Sequence, residues 1–264
     1  MKIKYGYLQI DKEKIAVKLF NHPKHMKLKS TIVLLHEGLG SIEMWKDWPT
    51  ELSYRTKMDL VLYSRIGMGK SSKEKEKKKV NFLEKEALYY LPKVIDHYCN
   101  NVPILLGHSD GASISLIYAG NKLPCKGLIL EAPHVFVEQI TINEIKNIKK
   151  LWKNNNLKDK FRKYHNDPDK AFMSWCDVWL SKDFAKWNIT NLIKNISCPS
   201  LVIQGYNDQY GTLQQVNLIE KYSRCLVKKV IINDCKHSQH LEKPKLVVDY
   251  IKKFIQYDLN RNDK

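Results

Sequence analysis

Arginine is scarce in this chain. Lysine and arginine together number 45, yet the only arginines are Arg55, Arg65, Arg162, Arg224 and Arg261. Guanidinium forks are the usual readers of phosphates and base edges, and the lysines are scattered along the whole chain. The formal charge of +17 therefore reads as a solvated lysine surface, and nucleic acid is not expected as a partner. Cysteine lacks any pattern too: Cys99, Cys125, Cys176, Cys198, Cys225 and Cys235 form no C-x-x-C pair and no zinc spacing. That removes the sequence case for a metal site and suits free thiols in a reducing compartment. No apolar run is long enough to span a membrane, and the stretch from Met1 to Gly6 lacks the apolar core of a signal peptide. A cytoplasmic protein without a membrane span is expected.

What is present is the alternation of an α/β protein. The 43% hydrophobic content is ordinary for a globular domain and excludes bulk disorder. Tyr5 to Ile10 and Ile15 to Phe20 alternate apolar and polar residues like an antiparallel edge hairpin. A lysine-rich turn follows. The runs Thr31 to Leu35, Leu60 to Tyr63, Ile104 to Leu106, Gly127 to Leu130, Ser200 to Ile203 and Leu226 to Ile232 read as strands, most of them covered on both faces. Helices are expected over Trp45–Lys57 and Phe82–Cys99, interrupted by Pro49 and Pro92, and over Ala112–Gly120, Leu213–Tyr222 and Lys245–Phe254. Strands alternating with helices imply a parallel sheet with helices on both faces. The charge run Lys73 to Lys79 reads as a mobile, solvated loop, and the tail from Asn260 as frayed. Between residues 133 and 196 no strand appears, but aromatics are dense, among them Phe136, Trp152, Trp175, Trp179 and Trp187; this reads as an inserted helical region.

The chemistry centres on Gly107-His108-Ser109-Asp110-Gly111, where a strand breaks, turns and resumes as a helix. The two glycines suit a turn too tight for a Cβ, which leaves Ser109 exposed at its tip. The alternative is that Ser109 merely caps the helix. A serine nucleophile also needs a base, a group to orient the base, and donors for the oxyanion. In an open α/β sheet the loops at the carboxyl ends of the strands converge on one crevice. Asp208 follows one strand there and His237 another, with Glu131 as a rival acid and His240 as a rival base. His36 and His108 flank these elements and read as supporting groups. Gly67-Met68-Gly69-Lys70-Ser71 lacks the spacing of a phosphate loop.

Four stretches together resemble the α/β-hydrolase superfamily. His36-Glu37-Gly38-Leu39-Gly40 resembles the H-G-x-x-G oxyanion loop, with Glu37 where a glycine is usual. Ser64-Arg65-Ile66-Gly67-Met68-Gly69-Lys70-Ser71 resembles R-G-x-G-x-S, and His237 to Pro244 resembles H-x-x-H-x-E-x-P. With the elbow these run in family order. The resemblance implies an α/β-hydrolase fold with a mostly parallel eight-stranded sheet. It divides the chain into a core of residues 1–132 and 197–264 and a helical cap, 133–196, inserted between the sixth and seventh strands.

The same resemblance implies Ser109 as nucleophile, His237 as base, Asp208 as orienting acid, and backbone N–H groups of Gly38 and Asp110 as the oxyanion hole. No cofactor and no metal is implied. Substrate contacts are expected from Asp110, His134, Phe136, Trp175 and Trp179. Asp110 resembles the G-x-S-D-G elbow of valacyclovir hydrolase-like members, where an acid can hold a substrate amine; the alternative is a hydrogen bond within its own helix. The expected activity is hydrolysis of a carboxylic ester of a small or medium-sized substrate through an acyl-enzyme. The alternatives are a lactonase, a thioesterase or a carbon-carbon bond hydrolase, including the pimeloyl-carrier-protein methyl esterase type, for which the positive charge would suit an acidic carrier protein. A non-catalytic ligand-binding relative is the remaining one.

Overall fold

The computed structural model describes residues 1–23, 30–152 and 156–260. The alternating residues at the start of the chain form the hairpin β1 (Lys2–Ile10) and β2 (Glu13–Asn21), paired antiparallel. The apolar runs form β3 (Thr31–Leu35), β4 (Asp59–Tyr63), β5 (Ile104–His108), β6 (Gly127–Glu131) and β7 (Ser200–Gly205), and β8 (Val227–Ile232) closes the far edge. The sheet order is β1-β2-β4-β3-β5-β6-β7-β8. β2 runs antiparallel to both neighbours, and every pairing from β4 to β8 is parallel. The loops after the parallel strands therefore open at one end of the sheet, which is where a crevice forms.

The helices, in chain order, are α1 (Trp48–Thr56), α2 (Phe82–Lys85), α3 (Leu91–Tyr98), α4 (Asp110–Gly120), α5 (Gln139–Trp152), α6 (Asn156–Arg162), α7 (Pro168–Trp179), α8 (Thr190–Ile193), α9 (Leu213–Tyr222), α10 (Gln239–Glu242) and α11 (Pro244–Phe254). The period-two alternation of the strands sends Ile32, Leu34 and Leu106 to one face, where Leu52 of α1 and Val247, Ile251 and Phe254 of α11 cover them. Val33, Leu35 and Leu105 go to the other, against Leu91 and Val94 of α3, Ile114 and Ile117 of α4, and Val216 of α9. All eleven residues of α4 are buried, as its unbroken run of apolar and small side chains requires. Helices α5 to α8 lie between β6 and β7 in the chain. Their aromatics largely pack on one another, with Trp152 stacked on Phe172 at 3.9 Å between ring centroids.

Three local expectations change. Pro49 does not interrupt a helix, because a 3₁₀ turn (Ile42–Trp45) comes first and α1 starts at Trp48, leaving proline in the first turn where its missing N–H costs nothing. The expected long helix around Pro92 is split into α2, a π turn (Glu86–Tyr90) and α3. Proline cannot donate to the preceding turn and crowds its carbonyl, and the wider π turn relieves both. The Lys73–Lys79 run is also more than a solvated loop. Lys78, half-buried, pairs with Glu74 at 2.8 Å, and Glu74 accepts from Ser174 Oγ of α7 at 2.7 Å. The tail expected to fray lies, beyond Asn260, outside the described residues, as does most of the lysine-rich turn after β2.

Backbone approach is closest where α4 crosses β3. A Cβ on Gly111 would sit 2.0 Å from the carbonyl oxygen of Leu35, whereas one on Gly6 in β1 would meet nothing within 4 Å. Gly111→Ala is expected to cost about 3 kcal/mol or more. Gly6→Ala should leave stability unchanged or raise it by up to about 1 kcal/mol. Urea unfolding of the two variants checks the contrast.

Candidate active site

Ser109 sits between β5 and α4 at φ 55° and ψ −117°, a conformation that L residues rarely adopt. Its N–H donates to Glu131 O at 2.8 Å, and its carbonyl accepts from Ala112 and Ser113 at 2.9 and 3.1 Å. A Cβ on Gly107 would fall 2.2 Å from Gly111 O. The turn is therefore as tight as the two glycines suggested.

Asp208 follows β7, and both of its oxygens lie against His237 Nδ1, at 2.9 and 2.8 Å. Tyr210 N–H donates to one oxygen at 2.8 Å and Gln204 Nε2 to the other at 2.7 Å. Burial pushes the Asp208 carboxyl up, but the charge and hydrogen bond of His237 and the Tyr210 N–H hold it below the usual carboxylate range. The His237 loop reaches the site because Gly205 ends β7: a Cβ there would lie 2.1 Å from Lys236 O. His108 Nε2 lies 2.8 Å from His237 O, which ties the loop to the residue before Ser109. Ser109 Oγ and His237 share no direct hydrogen bond within 3.5 Å; such bonds commonly tighten only when substrate is bound.

The rival acid and base are brought together with each other instead. Glu131 Oε2 accepts from His240 N–H at 3.1 Å and lies 2.9 Å from His240 Nδ1. That pair is fully enclosed, with the imidazole 4.5 Å from the Trp45 ring and 5.2 Å from Trp48.

On the oxyanion side, Asp110 N–H is in the first turn of α4, where no intrahelical acceptor exists. Gly38 lies in a turn closed by Gly40 N–H to Glu37 O at 3.0 Å. Arg65, whose role the sequence did not reveal, clamps this turn through Nη2 to Glu37 O at 2.6 Å and Gly38 O at 3.4 Å. Its backbone N–H donates to His36 Nε2 at 3.0 Å. Burial and the neighbouring Arg65 charge hold His36 far below its ordinary value, so it is neutral and accepts that bond. Glu37, the departure from the usual glycine, leaves the turn intact and aims its carboxylate at His108, 3.6 Å from Nδ1. Despite burial, His108 holds the Glu37 carboxyl far below the carboxylate range, and Glu37 with Glu131 raises His108.

Of the expected substrate contacts, Asp110, Trp175 and Trp179 converge beside Gly38. The Asp110 carboxylate is 4.0 Å from Arg65 Nη1, with both groups buried, so the acid expected to meet an amine already faces a cation of its own chain. Burial raises its carboxyl, while Arg65 and both indoles pull the other way. Trp175 Nε1 covers Gly38 so closely that a Cβ there would be 2.1 Å away. His134 packs 5.9 Å from His237 and 5.4 Å from Trp179, and burial and His237 push it down to about 3. Phe136 instead forms a β-bridge with Asn188 and takes no part in the ring contacts around His237. Tyr210, which the sequence did not single out, does, at 4.6 Å. A cavity of about 710 Å³ is lined by Gly38, Arg65, Glu86, Tyr90 and the Lys75–Lys79 loop among others, and not by Ser109, Asp208 or His237. Among the described residues no three potential metal ligands cluster, and no helix is long and apolar enough to cross a membrane.

A family model for the alpha/beta hydrolase fold matches residues 30–186. No curated protein matches the sequence. Among solved structures, the chain is similar to a carboxylesterase of the thaumarchaeon Nitrososphaera gargenis (15% identity, TM-score 0.77, covering 97% of this chain and 100% of that one). It is also similar to proline iminopeptidase of Mycobacterium smegmatis (13%, 0.73, 98% and 100%) and to a thioesterase domain from the curacin biosynthetic pathway (14%, 0.66, 95% and 99%).

The buried His108–Glu37 pair has a signature in stability. A histidine raised by folding contributes fully below its unfolded value, about 6.5, and loses that contribution as pH rises through the folded value. His36, His134 and His165 are lowered and so act on the acid side. Between about pH 6.5 and 8, below the thiol range, unfolding free energy should fall with pH, and His108→Gln should flatten that limb in urea titrations at each pH.

Proposed function

Because the chain belongs to the alpha/beta hydrolase fold family, we propose that it is a serine hydrolase that cleaves a carboxylic ester of a small or medium-sized substrate. The observation that carries this reading is the Asp208–His237 pair, at 2.8 and 2.9 Å, on a loop tied by His108 to the elbow of Ser109. Asp208 on Nδ1 keeps the proton there and leaves Nε2 free to take the Ser109 proton. Ser109 Oγ then attacks the carbonyl carbon, and the oxyanion is held by the N–H groups of Gly38 and Asp110. His237 returns the proton to the leaving alcohol, and water admitted to the same position releases the acid from Ser109. The strained turn keeps the hydroxyl at the tip of the elbow throughout.

Residues 133–196 are read as a cap over this crevice, with Trp175 of α7 over Gly38. Residues 1–132 and 197–264 form the catalytic core. A cytoplasmic location suits the six free cysteines. A thioester presented by an acidic carrier protein is the second reading. The observation that favours it is the set of exposed lysines along the cavity, Lys75, Lys77, Lys79 and Lys85, which an acidic surface would meet although Glu76 and Asp11 line the same cavity.

The test is a p-nitrophenyl ester series of rising chain length. Ser109→Ala should reduce turnover by about 10⁴-fold or more, and Asp208→Asn by about 10²- to 10⁴-fold. Glu131→Gln, which breaks only the rival pair, should act chiefly on stability. Turnover undiminished by Ser109→Ala would remove the proposal.

A further inference from the structure

Four buried polar atoms beside the proposed oxyanion hole have no hydrogen-bond partner within 3.5 Å: Arg65 Nη1, Asp110 Oδ2, Trp175 Nε1 and Trp179 Nε1, the two indole N–H groups standing off the Asp110 carboxylate beyond that distance. Their residues are between 1% and 7% exposed. Unmatched buried donors and acceptors are costly, and four in one place are rare outside a site that awaits a ligand. They do share one place. Arg65 Nη1 is 4.0 Å from Asp110 Oδ2, both indoles act on the same carboxylate, and Trp175 Nε1 lies against Gly38. Asp110 directly follows Ser109 in the chain, and Trp175 and Arg65 both lie against Gly38, so the nook borders the proposed oxyanion hole.

We propose that this nook binds a hydroxyl group of the substrate, next to the scissile ester bond. The inference rests on Ser109 being the nucleophile. The nook offers three donors and one acceptor, and its guanidinium and carboxylate oppose each other in charge. A substrate carboxylate would be set against Asp110 and an ammonium against Arg65. A methylene would leave all four atoms unmatched. A hydroxyl oxygen accepts from the guanidinium or an indole and donates to Asp110 Oδ2. A separation of 4.0 Å is too long for a direct hydrogen bond, but one oxygen about 2.8 Å from each side spans it. Specificity of this kind is strong, because an ester that lacks the hydroxyl buries the same groups unpaired.

The hydroxyl could belong to the acyl chain or to the alcohol, and two substrate arms separate these sources. Methyl 2- and 3-hydroxybutyrate are compared with methyl butyrate, and glycerol monobutyrate with propyl butyrate, by kcat/KM of the intact wild-type protein. A preference of about tenfold or more for the hydroxylated member in one arm is expected. Trp179→Phe and Trp175→Phe keep the ring and remove the donor, and at least one should move that ratio toward one, with the plain ester as internal reference. Ratios near one in both wild-type arms would overturn the proposal, with or without folded variants, and so would a ratio that both substitutions leave intact. Ser109→Ala on the plain ester keeps the two readings apart: if it abolishes turnover while the ratios are near one, the nook fails and the hydrolase reading stands.

Discussion

Ser109 is held at φ 55° and ψ −117° because the backbones on either side of it touch. Gly107 lies against the carbonyl of Gly111, and Gly111 against the carbonyl of Leu35. Holding a serine there costs about 1–3 kcal/mol, and α4, buried along its whole length, more than offsets it through apolar contact. The strain has a geometric result. The N–H of Asp110, the first residue of α4, is left without an intrahelical acceptor beside the hydroxyl, and β3, which bears Gly38 on its following loop, is drawn to within contact of the elbow. The proposed nucleophile and oxyanion donors thus come from one steric constraint, with the remaining parts arranged around it.

Charge inside the crevice is organised in opposed pairs. Asp208 faces His237, Glu131 faces His240, Glu37 faces His108 and Asp110 faces Arg65. A lone buried charge would be expensive, whereas an opposed charge offsets part of that cost, most where the two also hydrogen-bond, as in the Asp208 and Glu131 pairs. Each pair also joins different elements. Asp208 to His237 links the loops after β7 and β8, Glu131 to His240 links β6 to α10, and Glu37 to His108 links the oxyanion loop to β5. The surplus of positive charge in the chain is therefore a property of its surface, while the end of the sheet that holds the candidate site sets its buried charges in opposed pairs.

Much of this was legible in the sequence, since glycines at a tight turn and acidic or basic residues after strands follow from backbone geometry and from the parallel order of the sheet. The strands, the elbow and the positions of Asp208 and His237 belong to that class. Which acid meets which histidine does not, because Glu131 and His240 stand at equally plausible places and only the register of β6 against β7, with Glu131 opposite Ile203, decides the pairing. The environment of Asp110 was hidden for the same reason: Arg65 comes from the loop after β4 and the indoles from α7, far along the chain. A charge run such as Lys73–Lys79 reads as solvated in composition, and nothing local shows that Glu74 will reach Ser174.

That last contact bears on how the crevice is closed. Helix α7 buries Phe172, Trp175, Cys176, Val178 and Trp179. Beside that apolar burial, α7 and the turn before it meet the loops after β3 and β4 through polar contacts: Ser174 on Glu74 at 2.7 Å, His165 between Gly69 N–H at 3.0 Å and Leu39 O at 2.9 Å, and Asn166 N–H on Gly69 O at 3.0 Å. All of these anchors lie on the loops after β3 and β4, the same loops that carry Gly38 and Arg65. The proposed cap and the proposed oxyanion side are therefore joined through these loops, with Trp175 against Gly38. Apolar packing joins α5 to α7 and α7 to the rest of the protein in one cluster, and the short polar contacts fix α7 against the loops after β3 and β4. The cavity that borders Gly38 and Arg65 also takes in Glu74, so the Glu74–Ser174 contact stands between that space and α7, and solvent-reachable polar contacts of this kind are the ones that open most readily.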